Sequence, residues 1–217
     1  MKSVKGISVL ALFSVLVALG ISLMLKAAVG VGAFDAMTQS VSRLSGIRIG
    51  TVAMLFNLIF VAGQLVILRE KFGLGQLLQI PLVILIGMLV NFFYYNLLAP
   101  YAFQSYLLSL FIFLVATIVA SFSVSVVTVL NLVTFPIESF CMALSKKITL
   151  KFSAIRQLFD VLCISISLIL TFLFGMDPSV REGTVIGMLL FGPLMGFFIS
   201  RIHPLVEKAG VTEEAGY

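Results

Sequence analysis

Apolar residues run along this chain in long, nearly uncharged stretches, parted by short polar or Gly/Pro-containing segments. Six stretches stand out, roughly 6–28, 49–68, 76–98, 105–131, 153–174 and 184–202. A helix needs about 20 mostly apolar residues to cross the hydrocarbon core of a bilayer, so each stretch predicts a transmembrane helix. Two further segments, 34–46 and 136–147, mix polar and apolar positions and are too short to cross. They predict helices of about three turns. Asp35 stands where an N-cap carboxylate would accept from open backbone N–H groups, and Gly46 offers a C-terminal stop. Pro136 lies near a first helical position, with Glu138 in the first turn, where the macrodipole favours a negative charge. The lead-in at 28–32, Ala-Val-Gly-Val-Gly, breaks the first long helix, and Asn131 with Pro136 breaks the fourth. Two readings of each short helix stay open. It lies flat at the membrane surface, or it is a re-entrant half-helix that lines a cavity.

Composition changes the solvent rather than the elements. Of 217 residues, 61% are hydrophobic and 11% charged, against about 45–50% and about 25% in soluble domains. Mean hydropathy is +1.21. These values exclude a cytosolic enzyme, a secreted disulfide scaffold, a nucleic-acid module and a disordered chain, and they make the lipid bilayer the main partner. The net charge of +5 carries no nucleic-acid signal, because the basic residues flank the apolar runs. With the N-terminus inside, ten Lys and Arg fall on the cytoplasmic side: Lys2, Lys5, Arg69, Lys71, Lys146, Lys147, Lys151, Arg156, Arg201 and Lys208. Four fall outside: Lys26, Arg43, Arg48 and Arg181. The asymmetry predicts both termini in the cytoplasm. Tyr94, Tyr95, Tyr101 and Tyr106 bracket the outer loop as an interfacial belt. The first apolar run continues through Leu25, longer than the roughly 7–15 residues of a signal-peptide core, and is expected to remain as a span. Cys141 and Cys163 lack disulfide or metal spacing, and His203 reads as a solvated helix-end residue. No cofactor is implied.

The chain resembles itself at an offset of 103 residues. In that register Asp35 falls on Glu138, Ser42 on Ser145, Arg43 on Lys146, Arg48 on Lys151, and Leu55-Phe56-Asn57 on Leu158-Phe159-Asp160. Later the register slips by five, so that Gly75-Gln76 matches Gly183-Thr184. Three spans per half is an odd number, so the second half enters the membrane from the opposite side. The predicted fold is therefore all-α: one polytopic membrane domain over 1–217, with six transmembrane helices in two inverted-topology repeats. The repeats cover 6–98 and 105–202, with a short cytoplasmic tail at 203–217. That arrangement is common among secondary transporters.

An ionisable group inside a span costs about 2.5–3.5 kcal/mol on insertion scales. Asp160 stands inside the fifth span with Arg156 one turn earlier on the same face. As a bland pair, they neutralise each other near the cytoplasmic boundary. As a functional pair, Asp160 faces its repeat mate Asn57 across a central cavity, accepting a substrate donor or a coupling proton, while Arg156 meets an anionic group. Asp35, Asn57, Glu138, Arg156 and Asp160 are thus the substrate-path candidates, with Gln39, Asn131, Ser139 and Thr184 as secondary ones. Gln64, Gln76, Gln79 and Asn91 read as helix–helix glue at least as well as ligand contacts, and the glycines of the last span, Gly183, Gly187, Gly192 and Gly196, read as close-packing positions. The many Phe residues read as lipid-facing or core filler. No hydrolytic motif, P-loop or zinc motif occurs, so an enzyme is not expected.

These residues together resemble a known group. Gly30-Val31-Gly32-Ala33-Phe34-Asp35 resembles the small-residue turn ending in an aromatic-Asp pair of the YczE/YyaS/YitT group of bacterial membrane proteins. Pro136-Ile137-Glu138-Ser139-Phe140 is similar to that group's Pro-acid segment. Arg181-Glu182-Gly183-Thr184 and Phe191-Gly192-Pro193-Leu194-Met195-Gly196 are similar to the two ends of its last span. The resemblance covers about 8–200. It implies a bacterial inner-membrane protein, of a group often labelled transporters. Without the soluble C-terminal domain of the YitT branch, the chain resembles the short YczE-like branch.

The resulting expectation is a multi-pass secondary carrier of an unknown small-molecule ligand, with room for a homo-oligomer or a cytoplasmic protein partner. A second expectation is the substrate-capturing subunit of an energy-coupling-factor-like importer, docking its partner through the small-residue face Ala116-Thr117-Ile118-Val119-Ala120. A third is a non-transporting scaffold assisting a cytoplasmic biosynthetic enzyme. For the scaffold, charge reversal at Lys146, Lys147 and Lys151 abolishes function while Asp160→Asn spares it; for the carrier the order is opposite.

Overall fold

A computed structural model describes residues 2–148 and 150–208, with side chains over 6–148 and 150–206. The end of the expected tail at 203–217 lies outside the described residues. The elements are α1 (Lys2–Ala27), α2 (Ala33–Ser45), α3 (Ile49–Leu68), α4 (Leu74–Leu77), α5 (Gln79–Phe92), α6 (Tyr106–Leu130), α7 (Pro136–Lys147), α8 (Phe152–Phe174) and α9 (Glu182–Lys208). A tight turn extends α3 through Arg69–Lys71, and a wide π turn over Phe93–Leu97 closes α5. Among the described residues there is no strand. Six segments are long and apolar enough to cross a membrane: Gly6–Ala27, Ile49–Lys71, Leu74–Leu97, Tyr106–Leu130, Phe152–Phe174 and Glu182–Val206. Each lies within four residues of its expected bounds, because length and apolarity alone define them. Leu107 and Phe172 are among the large apolar side chains left exposed on these helices, as a lipid solvent permits.

The centre is the crossing of α1 and α6, with α5 flanking α1 and α9 flanking α6. Small residues bring the two backbones together. A Cβ added at Gly20 would lie 3.0 Å from the Ala120 Cβ and 3.3 Å from the Ala116 carbonyl oxygen. The small-residue face of Ala116 and Ala120, expected to be available to a partner, is therefore filled by the chain's own α1, and both alanines are buried.

Each short helix packs on long helices of both halves. α2 lies on α8 and α3, and α7 lies on α3 and α8. Their ends follow local chemistry. Gly46 closes α2 at φ 72° with its N–H on the Ser42 carbonyl, Asn131 closes α6 at φ 51°, and Pro136 is the first residue of α7. One expectation is corrected. The N-cap of α2 is Gly32, and Asp35 lies in the first turn without capping it. Its carboxylate is free for other work, while the macrodipole still favours it there.

The link 28–32 between α1 and α2 is fixed from α9. Gly183 N–H donates to the Val29 carbonyl at 3.0 Å, and the Thr184 hydroxyl accepts from Val31 N–H at 3.3 Å. Gly30 adopts φ 142°, and a Cβ there would clash with the Thr184 backbone nitrogen. Only glycine combines that dihedral with that approach.

Candidate functional site

The first turns of the two short helices arrive at one guanidinium. α2 begins beside the middle of α8, where Ala33 and Met37 pack on Cys163. α7 begins beside α3, where Gln64 Nε2 donates to the Pro136 carbonyl at 3.2 Å. Arg156, on the first half of α8, forms an ion pair through Nη1 with Asp160 one turn on. Its Nε lies 3.8 Å from Glu138 Oε1. Asp35 feels the same guanidinium from the α2 side. The side chains of Arg156, Glu138 and Asp160 keep 28%, 35% and 22% of their surface accessible. Among the described residues, Glu138 Oε2 is buried without a hydrogen-bond partner, so the site leaves one acceptor open.

Electrostatics oppose full ionisation. Two carboxylates, Glu138 and Asp160, pair with one guanidinium, and Asp35 lies within its field. Burial pushes the Asp35 carboxyl up to about 6, opposed by Arg156. Burial also raises Glu138, opposed by Arg156 and by its own backbone N–H, while Asp160 adds to the rise. Desolvation disfavours the charged form of each acid. Cys141 is buried beside them, and its thiol is pushed up to about 11, chiefly by burial, which makes it a poor nucleophile.

An aromatic wall adjoins the charges. Phe60 of α3 contacts Phe34 of α2, Phe140 of α7 and Phe159 of α8, with ring centroids 6.2, 5.5 and 5.9 Å away. Phe140 also nests over Gly63, where a Cβ would meet its ring. Sequence reasoning treated the Phe residues as filler and missed this wall. The available signal was position. Phe34 adjoins Asp35, Phe159 adjoins Asp160, and Phe60 lies one turn beyond Asn57.

The other candidates separate. Asn57 does not serve Asp160. Its amide donates to the Ala53 carbonyl of its own helix at 2.9 Å, and Asp160 is satisfied by Arg156. Thr184 is a staple between α9 and the 28–32 link. Ser139 accepts from Gln79 Nε2 at 3.0 Å, in a buried network where Gln64 Nε2 donates to Gln79 Oε1 at 2.9 Å. Asn131 is exposed as the left-handed cap of α6. Gln39 is buried one turn above Asp35 and lines a crevice at the far end of α2. In the last span, Gly183 makes a close backbone approach, whereas Gly192 and Gly196 have open space where a Cβ would stand.

A family model for a family of unknown function, DUF6198, matches residues 4–200, and the chain belongs to that family. No curated protein and no solved structure matches it.

Proposed function

We propose that this DUF6198 protein is a secondary carrier of a small molecule in the bacterial inner membrane, of the short YczE-like kind. Both termini are cytoplasmic, and two inverted three-span halves enclose a shared site. The observation that carries this reading is that two first-turn acids, Asp35 and Glu138, one from each half, lie in the field of Arg156, which pairs with Glu138.

Further features agree with an inverted repeat. Packing is exchanged between the halves: α2 lies on α8 as α7 lies on α3, and α1 meets α5 as α6 meets α9. The donors of two polar ties match in the 103-residue register, with acceptors in the first turn of each short helix. Ser167 Oγ donates to the Ala36 carbonyl at 3.2 Å, and its mate Gln64 donates to the Pro136 carbonyl. A re-entrant course for α2 fits its contacts, which begin beside the middle of α8 at Cys163 and finish at Asp177, beyond the end of α8. Half-helix N-termini pointing into a midplane site are a recurrent transporter device.

In this reading Arg156 is the pivot. It holds Asp160 on its own helix and Glu138 on the neighbouring α7 of the same half, and a substrate group that competes for either carboxylate frees the guanidinium that faces Asp35 of the other half. Asp35 changes protonation near the pH at which a coupling proton is available, which suits it to carry one. The phenylalanine wall excludes water beside the charges.

The two cysteines of the chain, Cys141 and Cys163, are both buried and adjoin the site, so they can report its opening. Oriented vesicles treated with a membrane-impermeant thiol reagent at alkaline pH should show labelling from either face, with a changed face preference in Arg156→Gln. Thiols inert from both faces, with denatured protein labelling normally, would exclude alternating access and the carrier reading.

A further inference from the structure

We infer that the crevice at the outer end of α2 binds an oxyanion group, a carboxylate or a phosphate, held by Arg43, Arg181 and Gln39. This site is separate from the carboxylate cluster around Arg156 and does not depend on the carrier reading.

The crevice is narrow between its walls and open to solvent at its mouth, and lies between the end of α1, α2 and the α8–α9 loop. Two guanidiniums line it. Arg43 Nη1 donates to the Asp177 carbonyl at 2.6 Å and to Ser179 Oγ at 3.4 Å. Arg181 donates through Nε to the Pro178 carbonyl at 3.1 Å and through Nη1 to the Ala28 carbonyl at 2.7 Å. Among the described residues, neither has a carboxylate within ion-pair distance. The nearest acid to Arg181 along the chain, Glu182, hydrogen bonds with the Tyr106 hydroxyl and feels the Arg181 charge without forming an ion pair with it. A guanidinium offers five N–H donors in a rigid fork, and each arginine spends two of them here on neutral oxygens. The backbone carbonyls orient the two forks without neutralising them.

Gln39 supplies the independent pointer. It is 8% exposed and lines the same crevice. Among the described residues, its amide has no hydrogen-bond partner. The amide opens onto the crevice beside the two guanidiniums, so its N–H and carbonyl are available to a polar ligand there. Two arginine forks and an amide N–H match a planar carboxylate or a phosphate, the groups that Arg binds most strongly. Position restricts the source to two: a solute arriving from outside, or the headgroup of an outer-leaflet lipid.

Full-length protein in dodecyl maltoside is titrated by calorimetry and thermal unfolding at constant ionic strength, with chloride as the balancing anion. The probes are inorganic phosphate, acetate and a short-chain phosphatidylglycerol. Saturable binding of phosphate or acetate identifies a soluble oxyanion ligand; saturation by phosphatidylglycerol alone identifies a headgroup. Either outcome supports the site. Arg43→Lys and Arg181→Lys keep charge but lose the fork, and should each weaken binding about tenfold. Gln39→Leu touches neither arginine–carbonyl contact, so a folded Q39L protein with weakened binding separates ligation from loop structure. No saturable binding of any probe beyond chloride, or equal affinity in wild type and all three variants, overturns the inference and leaves the arginines as loop clamps.

Discussion

The two halves of this protein solve the same packing problem differently. In the first, α3 and α5 touch backbone to backbone at Gly50 and Gly87, and the Asn91 amide bridges them. It accepts from Gly50 N–H at 2.8 Å and donates to Thr51 Oγ1 at 3.0 Å. In the second, α8 and α9 do not pack side by side in this way. α8 instead leaves Leu158, Val161, Leu162 and Ile169 exposed. It carries Arg156 and Asp160 where the matching turn of α3 carries Ala53 and Asn57. A glycine contact has no slack, because any Cβ strikes backbone. A helix held mainly by two short helices and an ion pair has fewer contacts to lose when it shifts. The first half is the frame, and the second holds the charges on its less constrained member.

The sharpest way to break this comparison is a methyl group. Gly50→Ala would drive its Cβ into the Gly87 carbonyl and should cost about 3 kcal/mol or more, as overpacked contacts do. Gly192→Ala on α9 meets nothing within 4 Å and should be neutral or slightly stabilising by helix propensity. Thermal unfolding of the two variants decides it; equal transition temperatures would remove the distinction between the halves.

Removing the charge partner comes next. Arg156→Gln leaves Glu138 and Asp160 facing each other without a cation. The expected loss is about 2 kcal/mol at neutral pH, below the range for fully buried pairs because these groups are partly accessible, and it should shrink as acid protonates Glu138. Asn57→Ala, at the matching place in the first half, loses only a bond to its own helix and should change stability little. Denaturation of both variants at neutral and acid pH tests the contrast.

Asp35 sharpens it further through pH. Its carboxyl is raised from 3.8 to about 6 in the folded protein. A raised acid favours the folded state when protonated, so its contribution is greatest below 3.8 and is lost as pH climbs through about 6. Asp35→Asn should therefore stabilise the protein above that window, by about 1–2 kcal/mol after allowance for its partial accessibility, and be neutral below it. A stability difference that does not vary with pH would show that Asp35 does not titrate there. The smallest effect is expected at the tie between α8 and α2. Ser167→Ala removes a buried hydroxyl that bonds both the Ala36 carbonyl and Ser40 Oγ and should cost about 1 kcal/mol, read as a small drop in transition temperature.

Much of the site was already marked by position in the sequence. Asp35 and Glu138 hold the same register in two similar segments, and Arg156 with Asp160 is a helical pair one turn apart. What failed was partner assignment. Asn57 and Asp160 share a register position, yet register fixes height along the repeat and not direction around the helix. Asn57 met its own backbone while Asp160 met Arg156. The face of Ala116 and Ala120 failed similarly, since a small-residue stripe says that something packs closely but not what. Gln39 and Arg43 lie one and two turns above Asp35 on α2, but their crevice is completed by residues near 180, which no local pattern connects to them.

By itself, the sequence determined the six long helices, the two short ones and the breaks between them. These follow from apolar length, glycine, proline and first-turn acids, and each acts within a few residues. Tertiary structure decided which first-turn acid pairs with Arg156, which small residues are already occupied, and which arginines are held by backbone carbonyls rather than by an ion pair. Those outcomes depend on contacts between different helices and loops, where the direction of each side chain around its helix matters and periodicity is silent.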